Sequence, residues 1–176
     1  MTQTCTLPQL TTDRLTLRAP VAADMQAYQA FYAATDMTVG TYRGGRSTAE
    51  IADIHAADMA HWQNKGFGIW LLRRREQDTV LGGAGLVVEE DWDTDELTWW
   101  LMPQARGHGY ATEASRAIIA YAYDTLGWSR VQTFMRDENI RSHKMAQRLG
   151  GTVTLRDVFP DGVTRDVYVL PREVSA

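Results

Sequence analysis

Apolar and polar residues alternate in Arg14-Leu-Thr-Leu-Arg18, the period of two expected of a half-buried strand, and Pro20 stops it. Residues 22–34 then predict a helix, with Met25, Tyr28 and Tyr32 near one face. Ser47 and Glu50 form a capping box that opens a second helix running to about Gln63. Gly66-Phe-Gly-Ile-Trp-Leu-Leu72 starts a strand, and its hairpin partner lies over 79–88, across a charged turn near Gln77-Asp78. A further strand over 94–102 is stopped by Pro103. Ala111, Ala114, Ser115, Ile118, Ile119, Ala122 and Leu126 recur at helical spacing, from a glycine turn to Gly127. A short strand at 130–135 and a short helix at 139–149 follow, the helix closed by Gly150-Gly151. Strands over 152–156 and 164–170, joined through Asp161-Gly162, complete the chain. This order of elements is that of an α/β (α+β) chain with a mixed sheet.

Length and composition narrow the function. The 176 residues suit one domain with one core. We expect a single domain over 11–172 and a mobile segment over 1–10. A net charge of −4 argues against a nucleic-acid partner. Arg73-Arg74-Arg75, the only basic cluster, reads as a solvated hairpin tip because Glu76, Gln77 and Asp78 follow. One cysteine, Cys5, excludes an internal disulfide, and no apolar run has the length of a membrane span. The expectation is a cytoplasmic protein, monomer or homodimer. Residues 89–96 hold six carboxylates in eight positions, either a solvated turn or an attractor for a cationic substrate.

The candidate chemistry lies in Gln104-Ala-Arg-Gly-His-Gly-Tyr-Ala111, between a strand and a helix. A glycine turn entering a helix gathers free N–H groups at the positive end of the helix dipole, a cradle for phosphate or pyrophosphate. Gly107 and Gly109 leave room for the anion, and Arg106 can add charge. The phosphate loop of nucleotide hydrolases is excluded, because Gly-Lys-Ser/Thr is absent. A dinucleotide fingerprint lacks its third glycine, since Ala111 and Thr112 follow.

Gln-x-x-Gly-x-Gly before a helix resembles the acetyl-CoA pyrophosphate loop of the GNAT acyltransferase family. Thr12-Asp-Arg-Leu-Thr-Leu-Arg18, Leu97-Thr-Trp-Trp-Leu101 and Asn139-Ile-Arg-Ser142 with Leu149-Gly150 resemble segments of its RimJ/RimL-like branch, which acetylates ribosomal-protein N-termini. The resemblance spans about residues 11–170. It implies the GNAT fold, a central, mixed, mostly antiparallel twisted sheet of six to seven strands with about four helices. Two departures stand out. Gly150-Gly151 replaces the usual Gly-Phe, and Thr98 replaces a common strand glycine.

The resemblance also implies acetyl-CoA as acyl donor. Its pyrophosphate would rest on Arg106, Gly107, His108, Gly109, Tyr110 and Ala111, with Gln104 opening the motif. The pantetheine arm would pair with main chain near Leu101 and Met102, and Asn139 would cap its helix and hold an amide of the arm. Many family members carry a tyrosine proton donor seven residues after the helix asparagine. Here that position is Ala146, and Ser142 takes the role of donor to the leaving thiolate; it is also a reasonable first-turn helix residue. Glu96, on one strand face with Thr98 and Trp100, is the candidate base or merely closes the acidic hairpin. An α-amine, with a reference pKa of about 7.7–8.0, needs less of a base than lysine at about 10.4. His55, His61 and His143 show no metal-ligand spacing, so no metal is expected. The acceptor site is expected from the first two helices, their loop and the Asp161-Gly162 hairpin. Trp62, Trp70 and Phe159 read first as core residues and second as candidate walls of that site. The expected acceptor is a protein N-terminal α-amine; the alternatives are a small amine, or a non-catalytic acyl-CoA-binding module.

Overall fold

Leu15 and Leu17 are fully buried while Thr16 and Arg18 between and after them are not, so the first alternating run forms a strand with one face in the core. The structure is a computed structural model and describes residues 7–35, 42–89 and 94–172. In chain order its strands are β1 (Leu10–Thr11), β2 (Leu15–Arg18), β3 (Ile69–Arg74), β4 (Val80–Glu89), β5 (Thr94–Leu101), β6 (Val131–Met135), β7 (Thr152–Val158) and β8 (Thr164–Leu170). Its helices are α1 (Met25–Ala34), α2 (Thr48–Lys65), α3 (Tyr110–Asp124) and α4 (Ile140–Arg148), with 3-10 turns at Ala22–Asp24 and Pro103–Ala105. Among the described residues no helix is long and apolar enough to cross a membrane.

The strands form two sheets, β1-β2-β3-β4-β5 and β6-β8-β7, in which every neighbouring pair is antiparallel. β5 and β6 lie side by side, yet no hydrogen-bonded ladder joins them. A single sheet of six to seven strands was the expectation. The two-residue β1 is too short to show a period, and the split falls where a period carries no information. Register decides which polar groups face that split. Met102 donates its N–H to Leu81 O at 2.9 Å, and the β4–β5 register is unbroken from Gly82↔Leu101 to Glu89↔Thr94. Antiparallel strands alternate hydrogen-bonded and open pairs. The main-chain groups of Leu97, Trp99 and Leu101 therefore point away from β4, into the gap.

Local chemistry fixes the rest. Ser47 Oγ accepts from Glu50 N at 3.2 Å while Glu50 Oε2 accepts from Ser47 N at 2.8 Å, so the capping box starts α2 as expected. Asp24 is buried at the turn into α1 and receives both guanidinium nitrogens of Arg18 at 2.7 Å, Arg73 at 2.9 Å and Val21 N at 2.7 Å. That network takes Arg73 out of the solvated tip that the sequence suggested, and Arg74 turns to the Tyr110 hydroxyl. The later part of the segment expected to be mobile is tied down: Pro8 O accepts from Trp70 Nε1 at 2.9 Å, and Leu10 pairs with Leu17.

Candidate active site

Between β5 and α3 the chain takes two left-handed steps, Gly107 and Gly109, both at φ +79°. A residue with a Cβ resists these angles by about 1–2 kcal/mol. No described residue offers an acceptor to the main-chain N–H groups of Gly107, His108, Gly109, Tyr110, Ala111 or Thr112. They sit at the positive end of the α3 dipole. A Cβ built at Gly107 would meet nothing within 4 Å, so the space beside this turn is open. Gln104 and His108 are exposed beside it, and the His108 ring stacks on Tyr110 at 5.6 Å. Arg106 is half-buried and its Nε donates to Leu101 O at 3.2 Å, tying the turn to the end of β5. α3 approaches the sheet closely because Ala111, Ala114 and Ser115 on its buried face are small.

The β1–β2 connection braces this turn. Glu113, in the first turn of α3, accepts from Thr12 Oγ1 at 2.5 Å, Arg14 N at 3.0 Å and Arg14 Nε at 2.6 Å. Arg14 also donates to His108 O at 3.0 Å and lies over the Tyr110 ring at 4.8 Å. Burial pushes the Glu113 carboxyl up, but the hydrogen bonds from Thr12 and Arg14 outweigh it and hold the group below the usual carboxylate range. Half of the Arg14 side chain is exposed, so solvent screens the pair. Glu113→Ala should cost about 1–2 kcal/mol of stability in calorimetric melting. It should also weaken binding of pyrophosphate, the anion expected at this turn, several-fold in titration calorimetry, because the turn loses its outer support.

Across the gap, Asn139 caps α4, its Oδ1 accepting from Ser142 N at 3.4 Å alongside the main-chain bond to Asn139 O at 3.0 Å. Ser142 is half-buried, three and four residues before the buried Met145 and Ala146, so it shares their inward face. Its hydroxyl makes no hydrogen bond to another described residue. Met102, by contrast, is committed within the fold: its N–H goes to Leu81 O and its carbonyl accepts from Ala105 N at 2.9 Å. Of the two residues expected to meet a pantetheine arm, Leu101 faces the gap and Met102 faces β4.

On the α1–α2 side of β5, Glu96 is half-buried on one strand face with Thr98 and Trp100. Thr98, at the place of the usual glycine, sits beside the Tyr42 hydroxyl. Trp100 is enclosed by Phe31 at 4.4 Å, Tyr28 at 5.6 Å and Tyr42 at 6.4 Å between ring centroids. Tyr28 donates from its hydroxyl to Asp58 Oδ2 at 2.6 Å.

The acetyltransferase (GNAT) domain profile matches residues 14–152, most of the chain. The chain belongs to the GNAT acetyltransferase family. It is 28% identical to an acetyltransferase from Agrobacterium tumefaciens str. C58, with a TM-score of 0.84 over 97% of this chain and 98% of that one. The N-acetyltransferase YoaA of Bacillus subtilis (strain 168) is 24% identical over 81% of this chain and 82% of its own length. RimL, a ribosomal L7/L12 α-N-protein acetyltransferase in complex with coenzyme A, shares the fold at 16% identity, with a TM-score of 0.73 over 95% of this chain and 99% of that one.

In this GNAT acetyltransferase Trp62, Trp70 and Phe159, expected as acceptor-site walls or as packing residues, all pack within the fold. Trp62 is core, its Nε1 bonded to Ile69 O at 2.8 Å, and Trp70 packs edge-on against it and Tyr121. Phe159 packs on Phe134 in the second sheet, where Asp161 is held by Arg165 and Arg136. The rings on the α1–α2 side of β5 are Tyr28, Phe31, Tyr42 and Trp100. Asp58 was not singled out in the sequence, although its position carried a signal. Ile51, His55, Asp58 and Trp62 recur at i, i+4, i+7 and i+11, which places a half-buried carboxylate in line with the buried residues of α2.

One grouping of potential ligands arises only in three dimensions. Asp137, His143 and Asp166 bring one ligand atom each within 4.8 Å of the others. Arg156 already bridges the two carboxylates, at 2.7 Å from Asp137 and 2.8 Å from Asp166. Both His143 ring nitrogens have protein partners, Tyr168 Oη and Arg136 O, each at 3.1 Å.

Proposed function

We propose that this protein is an acetyl-CoA-dependent N-acetyltransferase of the RimJ/RimL-like branch, acting on a primary amine and preferring a protein N-terminal α-amine. One observation carries the reading: the edge of β5 that no strand pairs leads, through the Pro103–Ala105 turn, into the two-glycine turn. A strand edge offers alternating N–H and C=O groups to an amide-bearing chain, and pantetheine carries two amides. The turn that follows offers N–H groups to a diphosphate. A donor laid along Leu101 and Trp99 would place its phosphates at Gly107–Ala111 and its thioester beside β5. The RimL structure, similar in fold, holds coenzyme A, which supports a donor of this class.

The chain's own groups then divide the work. A main-chain N–H of β5 turned to the gap stabilises the oxyanion. Ser142 donates a proton to the leaving sulfur, and a carboxylate on the Glu96 side of the strand takes the amine proton. Asn139 keeps α4 in register and holds the arm. Ser142→Ala should lower turnover about 100-fold and leave acetyl-CoA affinity within about twofold, since the serine acts on the transition state. Steady-state kinetics beside calorimetry reads this, and unchanged turnover removes the serine from the mechanism.

The deciding experiment pairs calorimetry with acetyl-CoA and a thiol-release assay over N-terminal peptides and small amines. Binding followed by thiol release supports the reading, and the best acceptor names the substrate class. Binding without release over the whole panel would make the protein an acyl-CoA-binding module. No binding would remove the donor site itself.

A further inference from the structure

Asp58 is a carboxylate in the wrong company for a structural residue. It lies on the inward stripe of α2 among Tyr28 and Tyr32 of α1 and Tyr42. Its hydrogen-bond partner is the Tyr28 hydroxyl, and among the described residues it has no other. No described lysine or arginine forms an ion pair with it. A carboxylate has about four acceptor sites, so one hydrogen bond leaves acceptor sites on this half-buried group open to a ligand. Burial pushes its carboxyl up to about 6, with the Tyr28 hydroxyl acting weakly in the opposite sense. Of the rings around it, Tyr28 and Phe31 are packed with Trp100 in the core, where Gly83 makes room for the indole (a Cβ there would stand 2.5 Å from Trp100 Nε1), while Tyr42 stays half-exposed. Asp58 and Glu96 both act electrostatically on Tyr42, beside Thr98. A half-exposed aromatic face beside a carboxylate with acceptor sites to spare holds a primary ammonium well, by cation–π attraction and charge.

We propose that Asp58 is the proton acceptor for the amine nucleophile, oriented by Tyr28, and that the half-exposed Tyr42 ring beside it receives the amine-bearing end of the acceptor. The proposal rests on the acetyltransferase reading. The ammonium R–NH3+ gives one proton to the Asp58 carboxylate. The freed amine attacks the thioester carbon, forming the C–N bond and an oxyanion. Collapse breaks the C–S bond, and the sulfur takes a proton from Ser142, which regains one from the nitrogen. Asp58 then releases its proton to solvent, so the net products are the amide, free thiol and one H+. Glu96 contributes field at the entrance rather than proton transfer. A base near 6 faces a gap of about two pKa units to an α-amine and more than four to a lysine. The site therefore suits α-amines and other weakly basic or apolar-flanked primary amines.

The test uses acetyl-CoA with two probes, 2-phenylethylamine and a tripeptide with a free N-terminus. In the wild type, kcat/KM should rise with pH along a limb near 6. Asp58→Asn should lower kcat/KM at pH 7 at least about 100-fold, abolish that limb and leave acetyl-CoA affinity unchanged. Glu96→Gln should lose less than about tenfold and keep the limb. Among the other groups facing Asp58, Tyr28, Tyr32 and Tyr42 are all raised by burial, and Asp24 is matched by Arg18 and Arg73. His55, one turn away, bonds Val21 O at 3.0 Å, and His55→Gln should keep the limb; its loss in that variant overturns the assignment to Asp58.

A second readout separates catalysis from architecture. A carboxyl raised in the fold favours folding below its unfolded pKa, and stability is lost as pH climbs toward 6. Asp58→Asn keeps an acceptor for Tyr28 and removes that penalty, so at pH 7 it should melt at an equal or higher temperature. A lower melting temperature, or a variant retaining rate and limb, overturns the assignment while leaving the acetyltransferase reading intact. Wild type that binds acetyl-CoA but acetylates neither probe is examined by carboxyl NMR. 2-Phenylethylammonium should then lower the Asp58 midpoint, and an unmoved midpoint overturns the proposal.

Discussion

Gly107→Val should lower acetyl-CoA affinity about 100-fold or more in titration calorimetry while leaving the protein folded. At φ +79° a β-branched residue is strained by about 1–2 kcal/mol, which a domain of this size tolerates. The new Cβ meets no protein atom within 4 Å, so nothing in the fold must move to admit it. The loss falls on the turn. Either the backbone relaxes out of the left-handed region and re-aims its amides, or the isopropyl group stands where a diphosphate would lie. Hydrogen bonds to a charged group contribute about 1.5–3 kcal/mol each, and losing two of them gives the hundredfold. A melting curve near wild type with binding gone is the expected pair of results. Retained affinity would mean that the diphosphate is held elsewhere.

The opposite outcome is expected at Gly85→Ala, which should unfold the protein more readily by about 3 kcal/mol or more. Its Cβ would stand 2.1 Å from Gly68 O and 2.5 Å from Ile69 Cα, both main-chain atoms at the start of β3. No side chain can swing aside to relieve this. Gly68 O also accepts from Leu86 N at 3.2 Å, so a retreat of the carbonyl breaks the bond that holds β4 beside it. For a chain this long the melting temperature should fall by roughly 6–12 °C, read by calorimetry. A shift within 2 °C would show that this strand pair is looser than its register implies. Gly107 and Gly85 therefore serve different ends. One glycine keeps an unusual angle at the surface, and the other keeps an ordinary strand close to its neighbour.

Much of this architecture is legible in the chain because it is local. The alternation at Leu15 and Leu17, the Ser47–Glu50 box and the small-residue stripe of α3 each act within a few residues, and each forms its expected element. What depends on distant partners is not legible. The gap beside β5 is one such feature, because residue patterning sets the faces of a strand and leaves its edges unspecified. The arginine run read as solvated through its acidic neighbours, yet Arg73 and Arg74 are drawn to Asp24 and Tyr110, which lie 49 and 36 positions away. The opening Thr12–Arg18 segment shows the same limit. Its resemblance to a family pattern is visible, while its work as a brace for α3 through Glu113 needs a contact across 99 residues. Asp58 was hidden by habit, since an acid in a helix reads as solvated until Tyr28, 30 positions earlier, is seen to cover it. The acidic stretch read as a turn or attractor falls largely on residues 90–93, outside the described residues.

The unbonded seam between the two sheets has a consequence for the life of the molecule. Side-chain packing alone joins β5 to β6, so the second half of the protein leans on the first without a shared lattice of amides. A substrate arm threaded along that seam would act as a missing rung, stitching eight strands into one continuous fabric for as long as it stays. The acyl donor would then be a tenant and a beam at once, and each release of product would momentarily return the protein to two loosely leaning halves.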